Sequence, residues 1–243
     1  MAAEVQRALW FRTERGNGFC EAAGDSLPWR SIGGDFFEMR ALLSEDCGIM
    51  FGDTSGKGPA AAILAAMIQG MLAVEVESGC SPSAVLTRVN SRLSRRGIDP
   101  RFATLVFGKL SPDGRFVYSN AGHNPPILLA GDSVRRLEKG GPILGAFEGS
   151  TFEQETIALN EGDTIIFFSD GLTEARSVGD EEFGDDRLIA YVRAHTSVPA
   201  ADLVKGILQR VTDFSLGAPQ ADDISVTVAR YIATMVHPKQ VLL

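Results

Sequence analysis

Cysteine, histidine and surplus positive charge are what this sequence has least of. Its three cysteines, Cys20, Cys47 and Cys80, form no C-x-x-C pair, and their odd number fits a reducing compartment, so we expect a cytoplasmic protein. Lys and Arg number 23 against 31 Asp and Glu, which gives a formal charge of −8. Because affinity for nucleic acid comes largely from basic side chains on phosphate, this charge argues against a nucleic-acid partner.

The sequence shows neither the pattern expected of a signal peptide nor a long uninterrupted apolar run. Residues 1–15 are interspersed with charged side chains and contain no hydrophobic region of a signal peptide. The longest apolar stretch, 59–74, is broken by Gln69 and Gly70 and falls short of the roughly 20 residues that a membrane span needs. We therefore expect no membrane span, and a buried helix at this position.

What remains is the composition of a globular domain. Hydrophobic residues make up 44% and charged residues 22% of the 243 residues, and no repeat or linker divides the chain. Periodicity and turn residues predict helices at 2–11, 59–77, 82–95, 185–194 and 198–215, and strands at 18–24, 32–43, 47–53, 102–110, 115–119, 126–130, 133–137, 152–159, 163–168 and 224–232. In the first helix, Val5, Ala8, Leu9 and Trp10 fall near one face. Strands joined by hairpin-length turns, with helices in separate blocks, predict an antiparallel α+β domain.

Four acidic motifs stand where predicted strands end. They are GGDFFE at 33–38, GDTSGKG at 52–58, SDG at 169–171 and ADDIS at 221–225. A single Asp-Gly pair is usually a turn, but four such sites in one domain are harder to explain in that way. Clustered carboxylates repel one another unless a cation holds them, and oxygen ligands without a histidine or cysteine set indicate Mg²⁺ or Mn²⁺ instead of zinc.

Two of these motifs lie on the arms of one predicted hairpin. With the turn centred near Glu45, Asp53 would stand opposite Phe37 or Glu38. Asp35 and Asp53 would then be close, but a register slip of one residue decides whether they share a face of the sheet.

Other catalytic motifs are absent or incomplete. The segment 52–57 resembles a phosphate-binding P-loop, but it is one residue short and Gly58 replaces the Ser or Thr that would hold Mg²⁺. The G-x-S-x-G motif of a nucleophile elbow is missing as well. We interpret His123 as a turn histidine that is hydrogen-bonded to the backbone, and we favour this role over that of a catalytic acid. Lys57 and Arg30 are the basic residues nearest the acidic motifs. One alternative is that either of them contacts a substrate phosphate, and the favoured one is that both are solvated surface side chains.

Taken together, the motifs GGDFFE, FGDTSGKG-P-AA, FATL, NAGHNPP, SDGLTEA and DDIS resemble the SpoIIE-like branch of the type 2C (PPM) metal-dependent Ser/Thr protein phosphatases. The resemblance spans about residues 4–232. It implies an α-β-β-α sandwich of two antiparallel sheets flanked by helices, with two Mn²⁺ or Mg²⁺ ions at one edge. On this basis we divide the chain into an N-terminal helical segment (1–16), a phosphatase domain (17–232) and a C-terminal tail (233–243).

The resemblance also implies a role for each acidic residue. Asp53 matches the aspartate that bridges both metals, and the backbone carbonyl of Thr54 matches a neighbouring ligand. Asp170 and Asp222 match ligands of one metal, and Asp35 matches the acidic residue that serves the other. Asp223, in the second position of the last motif, matches a further metal ligand. Since Asp35, Asp53, Asp170 and Asp222 are all present, we expect an active enzyme.

The reaction implied by the resemblance is hydrolysis of phosphoserine or phosphothreonine on a protein. The expected substrate is a phosphorylated anti-anti-sigma (STAS) regulator in a partner-switching pathway, and a sensor or activator protein is an expected partner. Residues 2–11 have two alternative roles: they form the contact of a homodimer, or they are an ordinary helix docked on the same chain. The alternatives are a catalytically silent partner-binding module of the same fold and a different two-metal hydrolase such as a nuclease, which the acidic charge disfavours.

Overall fold

Two β-sheets of six strands each pack face to face, with helices on their outer sides. The structure, a computed structural model, describes residues 1–10, 13–16, 18–96 and 102–233. Its helices are α1 (Ala2–Leu9), α2 (Pro59–Glu77), α3 (Pro82–Ser94), α4 (Asp170–Thr173), α5 (Gly184–Ala194) and α6 (Ala200–Phe214). Its strands are β1 (Thr13–Gly16), β2 (Cys20–Leu27), β3 (Phe36–Ala41), β4 (Cys47–Thr54), β5 (Ala103–Leu110), β6 (Arg115–Ala121), β7 (Ile127–Ala130), β8 (Ser133–Arg136), β9 (Gly140–Gly141), β10 (Glu155–Ala158), β11 (Thr164–Phe168) and β12 (Ile224–Tyr231).

The strand order confirms the predicted α-β-β-α sandwich. The first sheet runs β1-β2-β12-β11-β7-β8, and the second runs β10-β6-β5-β4-β3. Their neighbouring strands are antiparallel, while the short strand β9 adds a parallel pair to β6. Every predicted helix and strand corresponds to an observed element of the same type, with ends that differ by a few residues.

Alternating side chains divide the second sheet between two hydrophobic cores. On β4, Phe51 points into the core between the sheets, while its neighbour Met50 points outward to the core under α2 and α3. In the inner core, the ring of Phe51 stacks on Phe37 at 5.8 Å and on Phe167 of the first sheet at 6.5 Å. Helices α5 and α6 cover the outer face of the first sheet. Aromatic packing therefore fixes the spacing of the two sheets.

Helix α2 begins at the predicted proline, because Pro59 occupies its first turn. It is buried on one side only: Leu64, Ile68 and Leu72 pack on the second sheet, while Ile63 and Val74 are exposed. Within the described part of the chain, α2 is the one helix long and apolar enough to cross a membrane, and half of its most apolar window is buried. Core helices of globular domains pass the same test.

The N-terminal segment differs from its prediction. Of the four residues expected on one apolar face, Trp10 is buried and stacks on Phe37, whereas Val5 and Leu9 are exposed. The buried residue of α1 is Gln6, whose polar side chain the apolar pattern did not select. Strand β1, absent from the prediction, pairs with β2 and so joins residues 13–16 to the first sheet. The domain division at residue 16 stays a prediction, and the predicted C-terminal tail lies outside the described residues after residue 233.

Candidate metal centre

The register of the hairpin β3–β4 places Asp35 opposite Asp53. The observed pairs Phe36↔Gly52 and Phe37↔Phe51 centre the turn on Ser44, so the predicted partners of Asp53, Phe37 and Glu38, are wrong. Continuing the pairing by one residue sets Asp35 against Asp53. Both then share the face of Phe37 and Phe51, which looks into the space between the sheets.

The first sheet contributes the other two acidic motifs at the same end of the sandwich. Strands β11 and β12 are antiparallel, with Phe168 opposite Val226, so the residue after β11 and the residues before β12 meet. Ser169 and Ser225 join these ends: the amide of Ser169 donates to the Ser225 carbonyl at 3.1 Å, and the Ser225 amide donates to Ser169 Oγ at 3.0 Å. Asp170 follows this junction on the β11 side, and Asp222 precedes it on the β12 side.

The electrostatics of Asp53 show that the two sheets bring their carboxylates close together. Burial, and then the negative charges of Asp170 and Asp222, raise the pKa of Asp53 to about 7. A cation placed among these side chains would remove that penalty, because an opposite charge favours the ionised form.

Asp35 is the most deeply buried of the four. Its side chain is 3% exposed, and its Oδ2 atom has no hydrogen-bond partner among the described residues. Burial, followed by the charge of Asp53, holds the pKa of Asp35 well above its usual range, although the hydroxyl groups of Ser225 and Ser169 offset part of this. A buried polar atom without a partner is costly and calls for a reason. A metal ion held by the carboxylate would provide one.

Asp223 is engaged differently from the other carboxylates. Its Oδ1 accepts a hydrogen bond from the backbone amide of Trp29 at 2.7 Å, and its Oδ2 accepts one from the amide of Gly34 at 2.9 Å. A Cβ atom at Gly33 would lie 1.7 Å from Asp223 Oδ2, so only glycine fits there. Asp223 therefore fixes the loop that carries Asp35. Its assignment as a metal ligand stays a prediction.

Asp222 already has a cationic partner. The ammonium group of Lys57 lies 2.6 Å from Asp222 Oδ2 and donates to the Ala221 carbonyl at 2.7 Å. Lys57 and Arg30 both approach the ring of Trp29, at 5.0 Å and 4.2 Å from its centre. Lys57 thus neutralises one carboxylate of the cluster, and a divalent ion would compete with it for Asp222.

The oxygen atoms around Asp53 fit a hard divalent cation. A Cβ atom at Gly34 would lie 2.7 Å from Asp53 Oδ1 and 2.8 Å from the Thr54 carbonyl oxygen, so a glycine is needed to leave these two oxygens uncovered. Thr54 is anchored by its hydroxyl, which donates to the Ala61 carbonyl of α2 at 3.0 Å. The donors are carboxylate and carbonyl oxygens, as Mg²⁺ and Mn²⁺ prefer. Among the described residues, no three Asp, Glu, His or Cys side chains yet converge on one point.

His123 connects the two sheets beside this cluster. Its Nε2 lies 3.2 Å from the Phe168 carbonyl, and its Nδ1 lies 2.8 Å from the Thr104 hydroxyl. The carbonyl can only accept, so Nε2 carries the proton and Nδ1 accepts from Thr104. Burial lowers the pKa of His123 to about 4, which keeps the ring neutral. The interpretation of His123 as a histidine bonded to the backbone is confirmed.

The amide side chain of Gln6 makes a contact that sequence reasoning missed. Gln6 Nε2 donates to the Gly33 carbonyl at 2.7 Å, and its Oε1 accepts from the Gly33 amide at 3.1 Å. Helix α1 is thereby attached to the loop that carries Asp35. No feature of the sequence singled out Gln6, because the two residues are 27 positions apart.

Comparison with known proteins identifies the family. The sequence profile of SpoIIE (Stage II sporulation protein E) matches residues 44–232, which is most of the chain. The chain belongs to the SpoIIE family.

Two curated relatives of this SpoIIE-family chain are each 29% identical to it. Phosphoserine phosphatase RsbU of Bacillus subtilis matches over 237 residues, covering 95% of this chain and 69% of RsbU. Protein IcfG of Synechocystis matches over 228 residues, covering 82% of this chain and 36% of IcfG. The chain therefore spans only about a third of IcfG.

Solved structures of similar proteins share the fold. The SiaA-PP2C domain of Pseudomonas aeruginosa matches with a TM-score of 0.80 at 18% identity, covering 95% of this chain and 94% of that domain. The structure of the RsbU and RsbW domains of Rv1364c from Mycobacterium tuberculosis matches with a TM-score of 0.72 at 26% identity, covering 89% of this chain and 61% of that one. SpoIIE-family membership and the observed sandwich thus agree.

Proposed function

We propose that this SpoIIE-family chain is a metal-dependent protein phosphatase that hydrolyses phosphoserine or phosphothreonine on a protein. The observation that carries the proposal is that two sheets bring Asp35, Asp53, Asp170 and Asp222 to the same end of the sandwich. Within it, Asp35 has a buried oxygen atom to which no described residue donates a hydrogen bond. Such an acidic cluster is costly to a folded chain unless a cation binds there.

The residues that would hold two Mn²⁺ or Mg²⁺ ions follow from their positions. Asp53 lies centrally, facing Asp35 on its own sheet and Asp170 and Asp222 on the other, so we assign it as the ligand shared by both ions. The Thr54 carbonyl lies beside it, and its oxygen is accessible because Gly34 has no side chain to cover it. Asp170 and Asp222 would serve one ion and Asp35 the other. Asp223 would act by holding the Gly34 backbone.

The chain's own groups arrange the reaction and the bound ions supply the activation. Two such ions would lower the pKa of a water molecule and offset the charge of the phosphoryl group. Among the acidic motifs, no serine, cysteine or histidine is placed as a nucleophile, so we expect attack by water without a phosphoenzyme. Lys57, paired with Asp222, is a cation beside the cluster, and we assign it to contact a phosphate oxygen when a metal ion takes Asp222.

The finer identity of the substrate is part of the proposal. RsbU is named a phosphoserine phosphatase, and Rv1364c carries an RsbU and an RsbW domain. The first name supports phosphoserine as the group that is hydrolysed. We further propose, from the family resemblance of the motifs, that the substrate is a phosphorylated STAS-type anti-anti-sigma factor in a partner-switching pathway, with a sensor or activator protein as a further partner. We propose that this pathway operates in the cytoplasm.

The second candidate is a catalytically silent module that binds a partner through the same edge. The four carboxylates oppose this function, since a binding module has no need of a repulsive acidic cluster whose central member titrates near neutral pH. The loss of one of these four carboxylates from the sequence would have favoured the silent module.

A phosphate-release assay distinguishes these functions. We expect the chain to hydrolyse para-nitrophenyl phosphate and a phosphoserine-containing STAS protein when Mn²⁺ is added, and to lose both activities in excess EDTA. Asp53→Asn should be inactive, whereas Glu45→Gln, in the turn at the far end of the same hairpin, should behave as wild type. Full turnover in EDTA after dialysis would refute the two-metal function, and no turnover with Mn²⁺ would favour the silent module.

A further inference from the structure

A cavity of about 390 Å³ opens beside the candidate metal centre, between the segment that follows α4 and the loop that joins α6 to β12. We call it the flank pocket. Its lining includes Leu27, Gly171, Glu174, Val211, Leu216 and Asp222. Asp222 is one of the four clustered carboxylates, and Gly171 follows another, so the flank pocket is continuous with the centre.

Two largely exposed apolar side chains, one lining the flank pocket and one beside its wall, form what we call the mouth of the pocket. Leu216, in its wall, is 78% exposed, and Val178, from the segment after α4, is 74% exposed. The two loops touch, because a Cβ atom at Gly217 would lie 3.2 Å from Val178 Cγ2. Leaving two such side chains in water brings no benefit to folding. Their convergence next to the metal centre indicates a surface that a partner covers.

The charges around the flank pocket describe what that partner carries. Glu174 and Asp222 both line it, and Asp222 is paired with Lys57. Arg176 also lines it, but its guanidinium is bound by Asp180 at 2.8 Å and Glu182 at 2.7 Å. The pocket is therefore apolar inside and carries the carboxylate of Glu174 in its lining, which suits an apolar side chain and repels an acidic one.

We propose that the flank pocket binds an apolar side chain that lies next to the phosphoserine of the protein substrate. This inference rests on the proposed function, since it assumes a phosphorylated residue at the metal centre. An extended chain advances about 3.3 Å per residue, so one to three residues from the phosphoserine reach a site that adjoins the centre. The occupant is thus a segment of the phosphoprotein itself, and the pocket selects which phosphoserine is hydrolysed.

Synthetic phosphoserine peptides test this inference directly. One peptide carries leucine on both sides of the phosphoserine, a second carries serine there, and a third carries aspartate. We expect the KM of the wild-type protein for the leucine peptide to be roughly tenfold lower than for the serine peptide, the effect of burying one apolar side chain. The aspartate peptide should have the highest KM.

Variants of the pocket mouth locate the effect. Leu216→Ser and Val178→Ser should each raise the KM for the leucine peptide and leave its kcat, and the hydrolysis of para-nitrophenyl phosphate, unchanged. Val74→Ser is the matched control, because Val74 is similarly exposed but lies on the outer face of α2. All three side chains are exposed, so each variant should fold, as circular dichroism would verify.

The failures of the inference and of the proposed function look different. Equal KM values for the leucine and serine peptides, or pocket variants that match Val74→Ser, would overturn the inference while para-nitrophenyl phosphate is still hydrolysed. Absence of hydrolysis of every substrate with Mn²⁺ would overturn the proposed function, and the inference with it.

Discussion

At the scale of single residues, Gly34 is the glycine whose replacement would press directly on the oxygens assigned to the metal ions. A methyl group there would meet Asp53 Oδ1 at 2.7 Å and the Thr54 carbonyl at 2.8 Å, so one of these oxygens must move. We expect Gly34→Ala to weaken Mn²⁺ binding by roughly tenfold or more, as displaced supporting contacts do at metal sites. Isothermal titration calorimetry measures this.

Gly70→Ala is the control for this substitution. Gly70 lies inside α2, and a Cβ atom there would meet nothing within 4 Å. The variant should gain about 0.5–1 kcal/mol of stability, because alanine favours a helix interior, and should bind Mn²⁺ as wild type does. Equal Mn²⁺ affinities of the two glycine variants would show that the Gly34 backbone does not shape the centre.

His123 gives the protein a pH-dependent stability that is separate from its acidic cluster. The pKa of His123 is lowered to about 4 in the folded protein and is near 6.5 in an unfolded chain, so the unfolded state binds the proton first. This contribution to stability is complete above about pH 6.5 and is lost as the pH falls toward 4. It amounts to roughly 3 kcal/mol at 1.36 kcal/mol per pKa unit.

The prediction is checked by urea unfolding with EDTA present. At pH 7, His123→Gln should be less stable than wild type, because it loses part of the contact between the sheets. The difference in the free energy of unfolding between the two proteins should become smaller as the pH falls to 4.5. A difference between the two proteins that does not change with pH would contradict the assigned neutral form of His123.

Residue chemistry explains which parts of the centre could be predicted. Asp35, Asp53, Asp170 and Asp222 were recognised because their residue type and their positions at or next to strand ends carry the information. The hydrogen bond from the Gly34 amide to Asp223 could not be predicted, because it joins residues 189 positions apart and depends on the assembled fold.

At the scale of secondary structure, α2 is mechanically attached to the metal centre. It starts directly after the Asp53 loop, and the Thr54 hydroxyl bonds to its Ala61 carbonyl. Ala65 faces the second sheet and is 1% exposed, whereas Ala66 is exposed. We expect Ala65→Leu to cost about 1–3 kcal/mol by overpacking and to raise the Mn²⁺ concentration that half-maximal activity requires.

Ala66→Leu should leave both quantities near their wild-type values, because its side chain enters solvent. Thermal unfolding and a Mn²⁺ dependence of phosphate release give the two readouts. If folded Ala65→Leu keeps the wild-type Mn²⁺ requirement, α2 and the centre are not coupled.

Element types followed from periodicity, but register did not. The hairpin β3–β4 was expected to turn near Glu45, and it turns about Ser44 instead. In the turn, the Leu42 amide donates to the Asp46 carbonyl, and Glu45 adopts a positive φ of 67° that favours glycine or asparagine. Because no such residue marks the position, the sequence left the register open. The strands β1 and β9 were missed because they are only four and two residues long.

At the scale of the whole molecule, the candidate centre exists only when both sheets are assembled. Asp35 and Asp53 come from the second sheet, whereas Asp170 and Asp222 flank strands of the first. Stacked aromatic rings and the His123 bridge hold the sheets at a fixed spacing. The resemblance to a known family predicted this architecture, while composition and periodicity alone reached only an antiparallel α+β domain.

The most direct test of a two-ion centre with Asp53 at its middle is the number of Mn²⁺ ions bound in calorimetric titrations of three proteins. An amide keeps the shape of a carboxylate but removes its charge and most of its affinity for a hard dication. Wild type should bind two ions, Asp222→Asn one, and Asp53→Asn neither tightly. If folded Asp53→Asn retains two tight sites, Asp53 is not the shared ligand and the account of the centre is wrong.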